Sequence, residues 1–124
     1  MPTKRTPENT ACCPPKPALH SRPLLTSNQA EELADIFKIL AYDTRLRLLH
    51  ALVRAGELCV GDLAHAVDMK PQAVSNQLQR LVDQGILGAR RNGNNIYYTL
   101  IDPGVSTLLD QGLCLTEDAK ERKP

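Results

Sequence analysis

Tryptophan is absent from these 124 residues, and aromatics make up only 3%: Phe37, Tyr42, Tyr97 and Tyr98. With 42% hydrophobic residues, the core must come from Leu, Ile, Val and Ala at helical spacing. Long apolar runs are missing too, and none approaches the ~20 residues that span a bilayer. No apolar stretch follows Met1 as a secretory signal would require, so a cytoplasmic protein is expected, without membrane contact. The net charge is only +1, which excludes a strongly basic coat for nucleic acid and leaves room for a local basic face. There is no Cys-x-x-Cys pair and no glycine-rich cradle, which argues against a thiol reductase or other small enzyme and against a zinc site of paired Cys-x-x-Cys. The length fits one domain.

What the chain does have is unevenly placed. Six of the nine prolines fall in the first 23 residues. Proline removes backbone donors and biases its predecessor toward extended conformations, so residues 1–25 are expected to form a flexible arm. That arm carries Lys4, Arg5, Lys16 and Arg22 against Glu8, a net +3. The remainder holds 11 basic and 13 acidic residues, a net −2. Two of the four cysteines, Cys12 and Cys13, lie in the arm; Cys59 and Cys114 follow downstream. In a reducing compartment a disulfide framework is not expected. Two readings of the arm pair stand side by side: inert thiols, or a mobile pair that closes on a soft cation with a third thiolate.

Past the arm the periodicity becomes helical. Thr26-x-x-Gln29 has the form of a capping box. Leu33, Ile36, Phe37 and Leu40 then repeat at the spacing of an amphipathic helix. Asp43 suits the N-cap of a second helix, with Leu46, Leu49, Leu52 and Val53 inward and Arg45, Arg47 and Arg54 outward; Gly56 ends it. A short third helix starts near Val60 and buries Leu63, Ala64 and Val67. Pro71 fits the first position of a fourth helix that runs to Gln84 and stops at Gly85. Its core stripe is Val74, Leu78, Leu81 and Val82.

The opposite face of that helix carries Gln72, Ser75, Asn76, Gln79 and Arg80. Taken alone it suits a solvated surface. It also suits a reading head, since Asn and Gln pair with adenine and Arg with guanine in the major groove. Residues 86–91 and 95–100 read as two strands around Asn92-Gly93-Asn94, a strong hairpin signal. Lys70, Arg80, Arg90 and Arg91 against Asp83 make residues 70–91 locally +3, the footprint of phosphate contact. The expected fold is mainly α with a small β-hairpin wing: a winged helix-turn-helix, bound to double-stranded DNA. A last helix over Pro103–Leu115 has so wide an apolar stripe that it needs a partner, and with the first helix it is expected to form a homodimer interface. The folded domain is then 26–116, followed by a charged tail, 117–124.

Four segments in register resemble the ArsR/SmtB metalloregulatory repressors. Leu40-Ala41-Tyr42-Asp43-Thr44-Arg45-Leu46-Arg47-Leu48-Leu49 is similar to that family's L-x-D-x-x-R-L segment. Glu57-Leu58-Cys59-Val60-Gly61-Asp62-Leu63 resembles its E-L-C-V-x-D-L metal box. Ala73-Val74-Ser75-Asn76-Gln77-Leu78 resembles its x-V-S-x-H-L recognition helix, with Gln77 at the histidine position. Arg91-x-Gly93 through Tyr97-Tyr98-x-Leu100 resembles its wing. The resemblance implies a homodimeric repressor, not an enzyme, that leaves operator DNA when a metal ion binds as inducer.

Carried over residue by residue, the resemblance implies three thiolate ligands: Cys12 and Cys13 from the arm and Cys59 from the metal box, the last from the other subunit. Gly61 replaces the second thiol of the family's C-x-C pair. At the family's zinc site Asp102 matches, but Pro103 and Gly104 follow and no histidine lies in that helix, so that site is expected to be lost. Soft thiolates select soft ions; Hg(II) and As(III) are favoured, with Sb(III), Cd(II) and Pb(II) next and His20 a conceivable fourth ligand. Operator contacts fall to Lys70, Gln72, Ser75, Asn76, Gln79, Arg80, Arg90, Arg91, Asn92 and Asn94. The alternative is a winged-helix repressor that senses oxidation of the same thiols. Cys114, on the polar side of the last helix, is expected to be a spare thiol, and His50 and His65 packing or surface residues.

Overall fold

The computed structural model describes residues 16–122, so Cys12 and Cys13 lie outside the described residues. The chain divides into two units, one ending at Leu40 and the other running from Ala41. Among its described residues the first holds a 3-10 turn at Leu19–Ser21 and helix α1, Ser27–Leu40. The capping box forms as the spacing required. The Thr26 amide donates to Gln29 Oε1 at 3.0 Å, and the Gln29 amide donates to Thr26 Oγ1 at 3.1 Å. Leu33 and Phe37 on α1 stay about half exposed.

The second unit runs α2 (Asp43–Ala55), β1 (Leu58–Cys59), α3 (Val60–Val67), α4 (Pro71–Asp83), β2 (Leu87–Asn92), β3 (Asn95–Leu100) and α5 (Gly104–Arg122). Its core is aliphatic, as the scarcity of aromatics demands. Leu48, Leu49 and Leu52 of α2 meet Leu63, Ala64 and Val67 of α3 and Val74, Leu78 and Leu81 of α4, with Leu87 and Tyr98 from the sheet. Burial pushes the Tyr98 phenol pKa up.

Helix α2 is rotated from the expected orientation. Leu46 and Val53 are exposed, whereas Leu48 and Arg45 are buried. Arg45 stands three, four and seven residues before Leu48, Leu49 and Leu52, so helical geometry places it on their stripe. Its guanidinium is accommodated because Nε donates to Gln77 Oε1 at 2.7 Å and the group lies 4.5 Å over the Tyr42 ring. Asp43 is the first helical residue rather than the cap; it accepts from the Thr44 amide at 2.7 Å.

The wing is a three-stranded antiparallel sheet of order β1-β3-β2, not a lone hairpin. Leu58 pairs with Tyr98 and Cys59 with Tyr97. Cys59 is therefore a strand residue and the N-cap of α3, not part of that helix. The hairpin loop is also one residue tighter than expected: Asn92 pairs with Asn95, leaving Gly93 and Asn94 as the turn. The positive φ of 67° falls on Gly93, the first loop position, where type II′ loops place glycine. An added Cβ at Gly93 would meet nothing within 4 Å, so Gly93→Ala tests backbone conformation alone. It is expected to cost ~1–2 kcal/mol, measured as a lower denaturation midpoint with the m-value unchanged.

Helix α4 ends in a Schellman motif at Gly85, where the Gly85 amide donates to the Val82 carbonyl and the Ile86 amide to that of Leu81. The last helix is longer than the sequence reading allowed. α5 continues through the stretch expected as a charged tail, to Arg122, and buries no residue within the chain. No helix among the described residues is long and apolar enough to cross a membrane.

Candidate nucleic-acid interface and thiol site

Helix α4 turns Val74, Leu78 and Leu81 inward, which leaves Gln72, Asn76, Gln79 and Arg80 exposed and Ser75 half-buried. Lys70 is exposed at the N-cap of the same helix. The amides on this face are tied to their own helix. Gln72 Nε2 donates to Asn76 Oδ1 at 3.3 Å, and Gln79 Nε2 donates to Asp83 Oδ1 at 2.9 Å. Each leaves further donors and acceptors for a base edge. Arg91, Asn92 and Asn94 are exposed at the hairpin end. The second unit thus brings a polar helix face and a basic hairpin into one folded body, as a DNA-reading surface requires.

Two arginines of α2 make ties that the sequence reading, which turned both outward, did not assign: one to α4 and one to α3. Arg45 reaches from α2 to Gln77 on α4, at the position where the resembled motif carries histidine. Arg47, expected outward, donates through Nη1 to the Val67 carbonyl at 3.4 Å, at the C-terminal end of α3. Lining up Arg45 with Leu48, Leu49 and Leu52 would have found the first.

Arg90, expected among the operator contacts, is paired with a carboxylate in this structure. Its Nε and Nη2 donate to the two carboxylate oxygens of Glu57, both at 2.8 Å. The guanidinium also lies 5.0 Å from the centre of the Tyr97 ring. The hydrogen bonds from Arg90, more than its charge, hold the Glu57 carboxyl below its ordinary range, and the same bonds raise the Arg90 pKa. Glu57 stood in the quoted metal box, but only strand register reveals its partner.

Cys59 is half-buried and its thiol is free; Cys114 is a free thiol, exposed on α5. Among the described residues no three His, Cys, Asp or Glu side chains converge to hold a metal ion. The other two thiols expected at a site on Cys59, Cys12 and Cys13, lie outside the described residues. His50 and His65 are exposed on α2 and α3.

A family model described as "Bacterial regulatory protein, arsR family" matches residues 43–88, from the start of α2 into β2. A transcriptional repressor SmtB homolog of Synechocystis sp. is 45% identical over 85 residues, 68% of this chain and 64% of that protein. The arsenic resistance transcriptional regulator ArsR1 of Pseudomonas putida is 38% identical over 105 residues, 85% of this chain and 77% of that protein. Among solved structures, the AntR antimony-specific transcriptional repressor is similar at a TM-score of 0.76 and 61% identity. That match covers 89% of this chain and 99% of AntR.

Proposed function

This chain belongs to the ArsR/SmtB family of metal-responsive transcriptional repressors, and from that premise we propose that it binds operator DNA as a homodimer and releases it on capturing trivalent antimony or arsenic. The observation that carries this reading is the seat of Cys59. The thiol sits at the junction of β1 and α3, so one ligand position is paired into the wing's sheet and also stands at the N-cap position of the helix before the reading helix. A small shift there reaches both DNA-contacting elements.

Three thiolates, Cys12, Cys13 and Cys59, are the proposed ligand set. Such a set suits the pyramidal coordination of As(III) and Sb(III), and soft sulfur disfavours hard ions. The 61% identity to an antimony-specific repressor favours the metalloids over Hg(II), and Cd(II) or Pb(II) rank lower still. On DNA, the α4 helices of the two protomers enter successive major grooves ~34 Å apart. Gln72, Ser75, Asn76 and Gln79 meet bases or nearby phosphates. Lys70, Arg80, Arg91 and the turn beside Asn92 and Asn94 meet the backbone. The dimer is supported by apolar side chains left open on α1 (Leu33, Phe37) and on α5 (Leu108, Leu113).

The test is an anaerobic titration of reduced, full-length protein with antimonite, arsenite, Hg(II) and Cd(II), with operator binding followed on the same samples. The expected result is one Sb(III) or As(III) per three-thiolate set, loss of operator binding at that stoichiometry, and weaker response at low pH because ligation releases thiol protons. Operator binding that ignores every ion but falls on thiol oxidation would replace metal sensing by redox sensing.

A further inference from the structure

Cys59 and Arg90 lie in one row across the sheet. Register pairs Cys59 of β1 with Tyr97 of β3, and Tyr97 with Arg90 of β2, so the three side chains stand abreast on one face. Their neighbours Leu58 and Tyr98 form the adjacent row, and Tyr98 is buried; the Cys59 row therefore lies on the opposite side of the sheet. From β2 the Arg90 guanidinium passes over the Tyr97 ring and closes on both oxygens of Glu57, the residue before β1. One side chain thus reaches from β2 across β3 to the residue that leads into β1.

The span matters because β1 is only two residues long. So short an edge strand has little ladder of its own, and the two-bonded guanidinium–carboxylate fork is a stiffer tie than a single hydrogen bond. Resting on the reading that Cys59 ligates the inducer, we propose that Glu57 and Arg90 form a strap that transmits ligation at Cys59 to the wing. Arg90 is then a positioning residue, coupling β1 to the hairpin that carries Arg91, Asn92 and Asn94. When the inducer draws on Cys59, β1 cannot move without either breaking the fork or carrying β2 with it. Packed elements of this kind shift between discrete arrangements rather than yielding gradually.

Two substitutions in the full-length protein test the strap. Glu57→Gln removes the charge and one acceptor of the fork, away from the reading face. Arg90→Lys keeps the positive charge but cannot make the planar two-bonded fork. For each, antimonite stoichiometry, melting midpoint, and operator affinity with and without saturating antimonite are measured. Both variants are expected to fold, to bind antimonite at wild-type stoichiometry, and to lose about tenfold or more of the antimonite-induced drop in operator affinity, within the range usual for coupling between sites. A merely structural pair would lower the melting midpoint and leave the ratio of affinities unchanged, which overturns the proposal. So does a wild-type response in either variant, since a phosphate-contacting Arg90 would tolerate lysine and ignore Glu57→Gln. A wild-type protein whose operator binding ignores antimonite overturns the sensing reading itself and the strap with it. That outcome is separate, because it shows before any substitution is made.

Discussion

Leu78→Ala is expected to destabilise the protein by about 2–5 kcal/mol while leaving the DNA-reading face intact. Leu78 is fully buried on α4, on the same stripe as Val74 and Leu81, and α4 packs against α3 and β2. Truncation removes its transfer free energy and leaves a cavity that close-packed neighbours refill only in part. Of the four aromatic residues in the chain only Tyr98 is buried, so the core has few large side chains to refill the space. Thermal or urea denaturation at fixed protein concentration measures the loss; the concentration is held because a dimer's midpoint depends on it. Gln72, Asn76 and Gln79 project from the other side of the same helix, so operator affinity well below the lowered midpoint should stay within a few-fold of wild type. Asn76→Ala should show the reverse, little loss of stability and weaker operator binding. A Leu78→Ala protein with an unchanged midpoint would mean that α4 does not pack as described.

Much of this architecture is legible in the sequence because its signals are local. The capping box at Thr26 and Gln29, Pro71 at the head of α4 and Gly85 at its end are each decided within a few residues. The α3 and α4 stripes follow from period alone, because every residue on them is apolar. The stripe of α2 failed where period and polarity disagree. Arg45 belongs to the buried side by spacing, yet a charged residue is assigned to solvent unless its partner is known. That partner, Gln77, is 32 residues away. The tail failed for a related reason. The charge in 117–122 reads as a polar tail, although Glu117, Ala119, Lys120, Glu121 and Arg122 all favour helix, and α5 runs through them.

Strand β1 was out of reach for a different reason. Two residues show no periodicity, and Leu58-Cys59 becomes a strand only because β3, nearly forty residues later, offers it an edge. The hairpin itself was legible from Asn92-Gly93, though the glycine's positive φ places it first in the loop and shifts the turn by one residue. The candidate operator contacts on α4 and at the hairpin end were legible as residue types on a face. The Glu57–Arg90 fork was not, since its members are 33 residues apart and only the sheet register brings them together. Non-local pairing separates the Arg45–Gln77 tie, strand β1 and the Glu57–Arg90 fork from what was read.

Cys59→Ser is expected to abolish release by antimonite while leaving the uninduced repressor intact. Serine nearly matches cysteine in shape, but its hydroxyl stays protonated near neutral pH and offers no soft donor to Sb(III) or As(III). The position also favours the substitution structurally. Cys59 is the N-cap of α3, in an extended conformation and with no side-chain capping bond. Serine is among the preferred N-cap residues, so the melting midpoint should hold or rise slightly. Operator affinity without inducer should therefore stay within about twofold of wild type, since additive surface effects of this kind are usually small. The antimonite-induced loss of affinity, expected at about 150-fold or more in the wild type because a firm switch must exceed the ~1–3 kcal/mol common for coupled sites, should fall to nearly none. Cys114→Ser serves as the control: that thiol is exposed on α5, and its removal should change neither quantity. Replacing Cys12 and Cys13 together should reproduce the Cys59→Ser defect, because a three-thiolate set loses its geometry when the arm pair is gone. A Cys59→Ser protein that still releases operator at wild-type antimonite concentrations would remove β1 from the sensing site. Antimonite binding with release retained in that variant but lost in Cys114→Ser would place the sensing thiol on α5 instead.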